Sequence, residues 1–215
     1  MFKIKTPDTS HLKYEEFESV YDPAEDSFLL LDALEQELPL IHTLNPLIVV
    51  EVGCGSGVIS SALSTCLPAA IVLSTDLNPA ACRATQVTAA ANKVQVQVVR
   101  TDILSTLSDR LRGQVDLLVC NPPYVATEDT EISGTGLPAS WAGGNLGLVI
   151  TRRVVESLRE VLSEHGIAYL VLEQCNKPET YIPEMEELGF DCSTVISRRA
   201  GRELLYIVKL SRRKR

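Results

Sequence analysis

The chain has 215 residues, of which 45% are hydrophobic and 22% charged, and its formal net charge is −8. This length and composition fit one globular domain with a core of its own. The net negative charge argues against a general nucleic-acid-binding surface, and no apolar run reaches the roughly 20 residues that span a bilayer. The N-terminus also lacks the apolar segment of a signal peptide. We therefore expect neither nucleic acid nor a membrane as a partner.

Six cysteines are scattered through the chain, and none of them forms a C-x-x-C pair. They stand at positions 54, 66, 82, 120, 175 and 192. The pattern is typical of reduced thiols and predicts neither a disulfide framework nor a zinc site. We expect no metal ligands in this chain, and a cytoplasmic or nuclear location.

The first 20 residues are polar and mixed in charge, and we interpret 1–20 as an N-terminal arm ahead of a single domain, 21–215. Pro23 suits the first turn of a helix, and the acidic residues after it favour the positive end of the helix dipole. Apolar residues from Phe28 onward predict one buried helix face. We expect this helix to end before Pro39.

The middle of the chain alternates short apolar runs with helical patterns. The predicted strands are 47–52, 71–75, 94–100 and 115–120, and the predicted helices between them are 58–67, 79–92 and 104–111. Asn78 and Pro79 suit the N-cap and the first position of the second of these helices. The polar segment 125–140 then follows, and it is longer than an ordinary connection, which favours a functional role.

The last third of the chain continues this alternation and closes with two strands. The predicted elements are helix 147–163, strand 167–172, helix 177–188 and strands 190–197 and 203–210. Alternating strands and helices are typical of a doubly wound, mostly parallel sheet. Because the two closing strands are joined by a short link, they must pair antiparallel. The sequence therefore predicts an α/β fold with a seven-stranded sheet and one antiparallel strand.

The motif Asn121-Pro122-Pro123-Tyr124 directly follows the fourth predicted strand. Its prolines end that strand and hold Asn121 extended at the carboxyl end of a central strand, where open α/β sheets bind ligands. The side-chain oxygen of Asn121 and the carbonyl of Pro122 are two acceptors for an –NH2 group, and the ring of Tyr124 offers a face for stacking. The motif predicts a clamp for a planar primary amide or aromatic amine. Taken alone, it also fits an ordinary turn.

A second motif, Glu51-Val52-Gly53-Cys54-Gly55-Ser56-Gly57, follows the first predicted strand. Glycines such as Gly53 and Gly55 let the backbone approach a ligand closely. Their G-x-G-x-G spacing differs from the G-x-G-x-x-G spacing that binds a pyrophosphate. Glu51 would repel a phosphate and suits a ligand that carries an ammonium group. S-adenosylmethionine is such a ligand, and it carries a sulfonium cation as well.

Carboxylates also end the second and third predicted strands. Asp76 can accept hydrogen bonds from both hydroxyls of a ribose. Asp102 can accept a hydrogen bond from the adenine amine, and Ile103 can pack against the adenine ring. A single loop carboxylate would be unremarkable, but ligand-suited residues end four successive strands. We therefore predict a site for S-adenosylmethionine at this edge of the sheet.

A methyl donor in that site gives the NPPY clamp a chemical role. An amide nitrogen is a poor nucleophile, and two acceptors that hold both of its N–H bonds can aim it at the methyl carbon for in-line displacement. We therefore predict catalytic roles for Asn121, Pro122 and Tyr124. This chemistry requires no histidine base, and we assign none to His11, His42 or His165.

These motifs resemble those of class I methyltransferases with a Rossmann-like fold that act on amide or exocyclic –NH2 groups. Within that class, the chain resembles the eukaryotic HemK-type release-factor glutamine methyltransferases over about residues 20 to 210. The resemblance rests on the NPPY motif followed by Val125 and on three further segments. These are Tyr21-Asp22-Pro23-Ala24-Glu25-Asp26-Ser27-Phe28, Trp141-Ala142-Gly143-Gly144 and Arg199-Ala200-Gly201. Position 22 departs from the family pattern, which has Glu where this chain has Asp.

The resemblance implies methylation of the side-chain amide of a glutamine, in the GGQ motif of the class 1 translation release factor. It also implies a heterodimer with a small zinc-binding activator subunit. The residues it places on the cofactor are Ser27, Glu51, Gly53, Asp76, Asp102, Ile103 and Asn121. It places Asn121, Pro122, Pro123, Tyr124 and Val125 against the substrate, and we predict that 125–140 contacts the protein substrate as well.

Several alternatives remain open from the sequence. Members of this family have been linked to protein lysine methylation, and adenine in DNA or RNA presents the same –NH2 group, although the negative charge argues against a nucleic acid. A cofactor-binding scaffold subunit without catalysis is a third alternative, and an intact Asn121 argues against it. The apolar strand 94–100 should lie at an edge of the sheet, and such an edge favours a covering partner. We expect the protein alone to be poorly soluble and to be rescued by the small subunit.

Overall fold

The computed structural model describes residues 3–13, 17–128 and 140–213. The strands are β1 (Ile48–Val52), β2 (Ile71–Asp76), β3 (Gln97–Arg100), β4 (Val115–Cys120), β5 (Leu162–Glu173), β6 (Phe190–Ala200) and β7 (Glu203–Arg212). The α-helices are α1 (Glu25–Leu44), α2 (Val58–Cys66), α3 (Pro79–Ala91), α4 (Ser108–Leu111), α5 (Val149–Val161) and α6 (Pro178–Glu187). Among the described helices, none combines the length and the apolar character needed to cross a membrane.

The seven strands form one sheet in the order β3-β2-β1-β4-β5-β7-β6. The pairs from β3 to β5 are all parallel, and β7 runs antiparallel to both of its neighbours. The predicted seven-stranded, mostly parallel sheet with one reversed strand is therefore confirmed. The strand order reverses beside β1, so the carboxyl ends of β1 and β4 open onto the crevice where doubly wound sheets bind ligands.

Both faces of the sheet are covered, because successive side chains on each strand point in opposite directions. Val49 and Leu117 pack on one face with α1 and α2, and Val50 and Leu118 pack on the other with α5 and α6. All four side chains are fully buried. This two-sided burial explains why β1 and β4 are mostly apolar, with Glu51 and Asp116 as the exceptions.

The N-terminal arm lies against the domain in its described part. Leu12, Phe17 and Val20 are buried against Ala81 and Ala84 of α3. These contacts bring the end of the arm and the following Tyr21 close to the carboxyl ends of β1 and β2.

The prediction that the first helix ends before Pro39 is wrong, because α1 continues to Leu44. A proline inside a helix costs about 3 kcal/mol. Leu38 and Ile41, on either side of it, are 1% and 0% exposed. Burial of this apolar face offsets the missing backbone hydrogen bond, and only the tertiary structure supplies that burial.

The largest errors in where a predicted strand begins concern the third and fifth strands. The third strand begins at Gln97, because the backbone N–H of Val94 donates to the carbonyl of Ala89 and so belongs to the end of α3. The fifth strand begins at Leu162 and passes through Gly166, where a β-carbon would lie 2.5 Å from the carbonyl oxygen of Val115. Gly166 thus permits close contact between β4 and β5 at an irregular register.

Candidate functional site

Two adjoining cavities lie at the carboxyl ends of the central strands, and every predicted site residue lines at least one of them. We call the cavity of about 170 Å³ beside β2 and β3 the strand-end cavity, and it is lined by Asp76, Asp102, Ile103 and Pro123. We call the second, of about 210 Å³, the NPPY cavity, and it is lined by Ser27, Glu51, Pro122, Tyr124 and Val125. Gly53, Gly55 and Asn121 line both cavities.

The glycine turn after β1 is fixed against the end of β2. The backbone N–H groups of Gly53 and Cys54 donate to the carbonyl of Thr75, at 2.8 and 3.0 Å. The N–H of Gly55 donates to Oδ2 of Asp76 at 3.0 Å, and the N–H of Asn78 donates to its Oδ1 at 2.8 Å. Burial raises the pKa of Asp76, and these backbone donors oppose that rise. The carboxylate is therefore held in one orientation at the mouth of the strand-end cavity.

Glu51 is almost fully enclosed, with 3% of its surface exposed. Its Oε2 accepts a hydrogen bond from the backbone N–H of Ser60 at 2.9 Å and another from the Ser60 hydroxyl. Burial raises the pKa of Glu51 from 4.5 to about 8, although the Ser60 donors oppose that rise. The carboxyl group is thus costly to ionise where it stands, and a nearby cation would favour its ionised form.

Asp102 and Ile103 follow β3, as the sequence predicted. Asp102 makes one contact that was not predicted. Oδ2 of Asp102 lies 2.6 Å from Nη2 of Arg153 on α5, and each side chain is 45% exposed. The predicted adenine acceptor is therefore also an ion-pair partner, which the sequence did not indicate. Ile103 has a φ of 52°, a strained conformation for a β-branched residue of the kind found at ligand sites.

Asn121 is oriented by an acid that sequence reasoning had assigned only to the start of a helix. Its Nδ2 donates to Oδ2 of Asp26 at 3.0 Å, across 95 residues of sequence. Its Oδ1 is buried and has no hydrogen-bond partner among the described residues. Asp26 also accepts from the hydroxyls of Tyr21 and Tyr124, both at 3.2 Å. The signal that could have identified Asp26 was its place in the segment 21–28, which carries the family resemblance.

The two tyrosines in this network are hydrogen-bond donors at neutral pH. Burial raises the pKa of both Tyr21 and Tyr124 well above the usual value, and the charge of Asp26 raises it further. The Tyr124 hydroxyl also lies 3.4 Å from Oε2 of Glu203, at the start of β7. Burial raises the pKa of Glu203, and the charge of Glu173 adds to this effect. The network therefore supplies donors and acceptors that fix geometry, and among the described residues it contains no lysine, arginine or histidine.

The NPPY turn is supported from behind by small residues and one buried amide. A β-carbon on Gly143 would lie 2.5 Å from the carbonyl oxygen of Pro123, and one on Gly147 would lie 1.8 Å from that of Tyr124. Asn176 is fully buried and donates through Nδ2 to the Tyr124 carbonyl at 2.8 Å. Contacts as close as these explain why positions 143 and 147 are both glycine.

An apolar rim borders the NPPY cavity. Val125 and Trp141 are 36% and 38% exposed, and the N–H of Val125 donates to the carbonyl of Trp141 at 3.0 Å. Most of the segment 125–140, predicted to contact the substrate, lies outside the described residues, so that role stays a prediction.

Both cavities are acidic. Their described lining includes Asp26, Glu51, Asp76, Asp102 and Glu203, and contains no lysine, arginine or histidine. A pyrophosphate would be repelled here, whereas a ligand with cationic groups is favoured by charge.

Comparison with known proteins agrees with this geometry. The family described as "Methyltransferase small domain" matches residues 22–135. The chain is 42% identical to "Methyltransferase HEMK2" of Mus musculus, over 97% of each protein. It is 36% identical to "eRF1 methyltransferase catalytic subunit mtq2" of Schizosaccharomyces pombe, over 97% of this chain and 96% of that protein.

A solved structure extends the comparison to the fold. The Mtq2-Trm112 complex of E. cuniculi, described as responsible for methylation of the eRF1 translation termination factor, contains a chain that is 30% identical to this one. It superposes with a TM-score of 0.70 and covers 91% of this chain and 99% of its own length. Sequence identity, coverage and fold agree, and this chain therefore belongs to the eukaryotic HemK-type methyltransferases, the family of HEMK2 and Mtq2.

Proposed function

We propose that this protein transfers a methyl group from S-adenosylmethionine to the side-chain amide nitrogen of a glutamine in the class 1 translation release factor. The observation that carries the proposal is the buried Oδ1 of Asn121, a residue that lines both cavities. This oxygen has no hydrogen-bond partner among the described residues. A buried acceptor without a donor costs about 1–3 kcal/mol. An –NH2 group of the acceptor substrate would satisfy it.

The residues present fit S-adenosylmethionine as the cofactor. Asp76 would hold the ribose hydroxyls, Asp102 and Ile103 the adenine, and Glu51 the ammonium group, with the glycine turn in close backbone contact. The described residues that line the two cavities include several acids and no lysine, arginine or histidine. This lining matches a ligand with an ammonium and a sulfonium group. When bound, this cofactor would supply a methyl group on a positively charged sulfur and would leave as a neutral thioether, while the methylated nitrogen would release one proton to solvent.

The chain's own residues position the acceptor. The Oδ1 of Asn121 and the carbonyl oxygen of Pro122 accept hydrogen bonds from the two N–H groups of a primary amide. These two hydrogen bonds direct the amide nitrogen toward the methyl group. Tyr124 bounds the NPPY cavity and excludes water from it, since it is only 9% exposed. Orientation and exclusion of water together account for most of the catalysis expected of such a site.

A glutamine in a protein suits this cavity better than a base in a nucleic acid. The acids Asp26, Glu51 and Glu203 line the NPPY cavity, and a phosphate backbone entering it would be repelled. The exposed apolar side chains of Val125 and Trp141 at its rim suit a polypeptide substrate.

The partner is a small zinc-binding activator subunit. β3 forms one edge of the sheet and has only four residues, Gln97–Arg100, none of them fully buried. An edge strand presents unpaired backbone groups that another chain can cover. Expression with and without the small subunit tests this point, and a soluble, fully active monomer would contradict it. We also propose a cytoplasmic location, since translation termination takes place there, and imaging of a tagged chain would test it.

The decisive experiment is mass spectrometry of acceptors after incubation with the purified heterodimer and methyl-labelled cofactor. Release factor should gain one methyl group on the glutamine of its GGQ motif, and Asn121→Ala should slow that gain by about 10³-fold. A lysine-bearing peptide and an adenine-containing oligonucleotide serve as parallel acceptors. Faster methylation of either one than of the release factor would contradict the proposed function.

A further inference from the structure

We propose that Asp26 is a positioning residue that sets the polarity of the Asn121 side-chain amide. The inference rests on the proposed function, because it concerns how Asn121 comes to present an oxygen, and not an –NH2 group, to the acceptor. Asp26 lies in the first turn of α1, is 3% exposed, and accepts from Nδ2 of Asn121 at 3.0 Å.

The two ends of an asparagine amide have nearly the same shape, so a hydrogen-bonding neighbour selects between them. Both oxygens of Asp26 act as acceptors, Oδ1 for the backbone N–H of Ser27 and Oδ2 for the two tyrosine hydroxyls. The atom of Asn121 that faces Asp26 must therefore be Nδ2, and Oδ1 must point away. In the reversed orientation, two acceptor oxygens would face each other and the Asn121 –NH2 group would face the –NH2 group of the substrate.

Asp26 is itself fixed by donors that carry no charge. Its Oδ1 accepts from the backbone N–H of Ser27 at 2.6 Å and from the Ser27 hydroxyl at 3.2 Å. Its Oδ2 accepts from the hydroxyls of Tyr21 and Tyr124 as well as from Asn121. Within the described part of the chain, no lysine, arginine or histidine forms an ion pair with it.

This arrangement connects two distant motifs of the sequence. Tyr21, Asp26 and Ser27 belong to the segment before and within α1, whereas Asn121 and Tyr124 belong to the NPPY turn. All five residues line the NPPY cavity. Because Asp26 receives donors from both motifs, it holds the acceptor-binding turn in register with α1.

The test is the isosteric substitution Asp26→Asn, whose amide can donate or accept and so no longer selects one orientation of Asn121. We expect kcat for the release factor to fall about 30-fold, with the Kd for S-adenosylmethionine and the KM for the release factor within about threefold of wild type. Asp32→Asn is the matched control, since Asp32 lies on the same helix in an exposed ion pair with Arg198 and should leave kcat unchanged.

A double-mutant cycle separates positioning from a general structural role. In an Asn121→Ala background, Asp26→Asn should cost less than about threefold in residual kcat, because no amide remains to be oriented. An undiminished 30-fold loss in that background would overturn the inference. A kcat equal to that of wild type for Asp26→Asn would also overturn the inference. A rise in the cofactor Kd as large as the fall in kcat would do the same.

A measurement that needs no methyl acceptor keeps the inference testable if Asp26→Asn impairs folding or if the release factor is not the substrate. This measurement is the solvent exchange of the Asn121 side-chain amide. In the ¹⁵N NMR spectrum of the wild-type heterodimer, the Asn121 –NH2 pair is the pair that Asn121→Ala removes. We expect slow solvent exchange for this pair, and two sets of signals or a broadened signal in Asp26→Asn. Exchange in wild type as fast as that of exposed asparagines would overturn the positioning role. Slow exchange without methylation of the release factor would instead contradict only the proposed function.

Discussion

The strand-end cavity and the NPPY cavity are built from the same residue types and differ in how those residues are held. In the strand-end cavity, Asp76 is bound by backbone N–H groups and Asp102 by an exposed arginine. In the NPPY cavity, Asp26 is enclosed and bound by side chains from two distant motifs. A carboxylate at the mouth of a cleft is suited to binding, whereas an enclosed one is suited to fixing the geometry of its neighbours.

This difference assigns separate kinetic consequences to the two regions. Substitutions of Asp76 or Asp102 should change cofactor affinity, and substitutions of Asp26 or Asn121 should change the rate of methyl transfer. Glu51 lines the NPPY cavity beside the glycines shared by both, and it should affect both affinity and stability.

The largest effect is expected for Asn121→Ala. Loss of the acceptor oxygen leaves the substrate nitrogen without orientation, so kcat should fall by about 10³-fold while the cofactor Kd changes less than about threefold. Single-turnover methylation and isothermal titration calorimetry measure the two quantities. Asn92→Ala, on the far end of α3, is the control with unchanged kcat. A loss of cofactor binding as large as the loss of kcat would remove the distinction between the cavities.

The next effect is expected for Asp76→Asn, which keeps the size of the side chain and removes its charge. The Kd for S-adenosylmethionine should rise about 10-fold to 30-fold, because charged acceptors bind hydroxyls more strongly than neutral ones do. At saturating cofactor, kcat should stay within about threefold of wild type. Asp116→Asn is the control, since Asp116 also accepts backbone N–H bonds but lies at the opposite end of the sheet. A fall in kcat with unchanged Kd would contradict the binding role.

Glu51→Gln should change stability and affinity in opposite directions. Because burial raises the pKa of Glu51 to about 8, the folded protein binds this proton more tightly than the unfolded chain between pH 4.5 and 8. The contribution of Glu51 to stability therefore falls as pH rises through that window. Relative to wild type, Glu51→Gln should be more stable by about 1–3 kcal/mol at pH 9 and nearly equal at pH 5, with about 10-fold weaker cofactor binding.

Urea denaturation of wild type and Glu51→Gln at pH 5 and pH 9 measures this difference. Glu179→Gln, at an exposed position of α6, is the matched substitution outside the site. A stability difference of the same size at both pH values would show that Glu51 is not the titrating group.

The smallest effect is expected for Arg153→Ala. The Asp102–Arg153 ion pair is about half exposed, and exposed pairs contribute about 0–1 kcal/mol. Stability and kcat should therefore be nearly unchanged, and cofactor affinity should shift less than about threefold. A larger loss of affinity, measured by calorimetry, would mean that the arginine orients Asp102 for the cofactor. The strand-end cavity would then also depend on a positioning contact.

Much of the fold and most residues of the candidate site could be predicted from the sequence, because they depend on patterns of neighbouring residues. Residues at the ends of consecutive parallel strands share one edge of the sheet, so Glu51, Asp76, Asp102 and Asn121 could be brought together without coordinates. The same logic failed for Asp26, because it lies in a helix before the first strand. Its position depends on how α1 packs on the sheet, and no local pattern states that. The Arg153 contact was missed for the same reason.

The sequence by itself determined the order of the elements, the reversed strand and the place of the NPPY turn after β4, because periodicity, proline positions and short links act locally along the chain. Only the tertiary structure decided that α1 continues through Pro39 and that Gly147 lies against the Tyr124 carbonyl. It alone brought the Asp26 carboxylate to the Asn121 amide. These contacts join residues that are far apart in sequence, and their free energies come from burial and close approach, which exist only once the chain has folded.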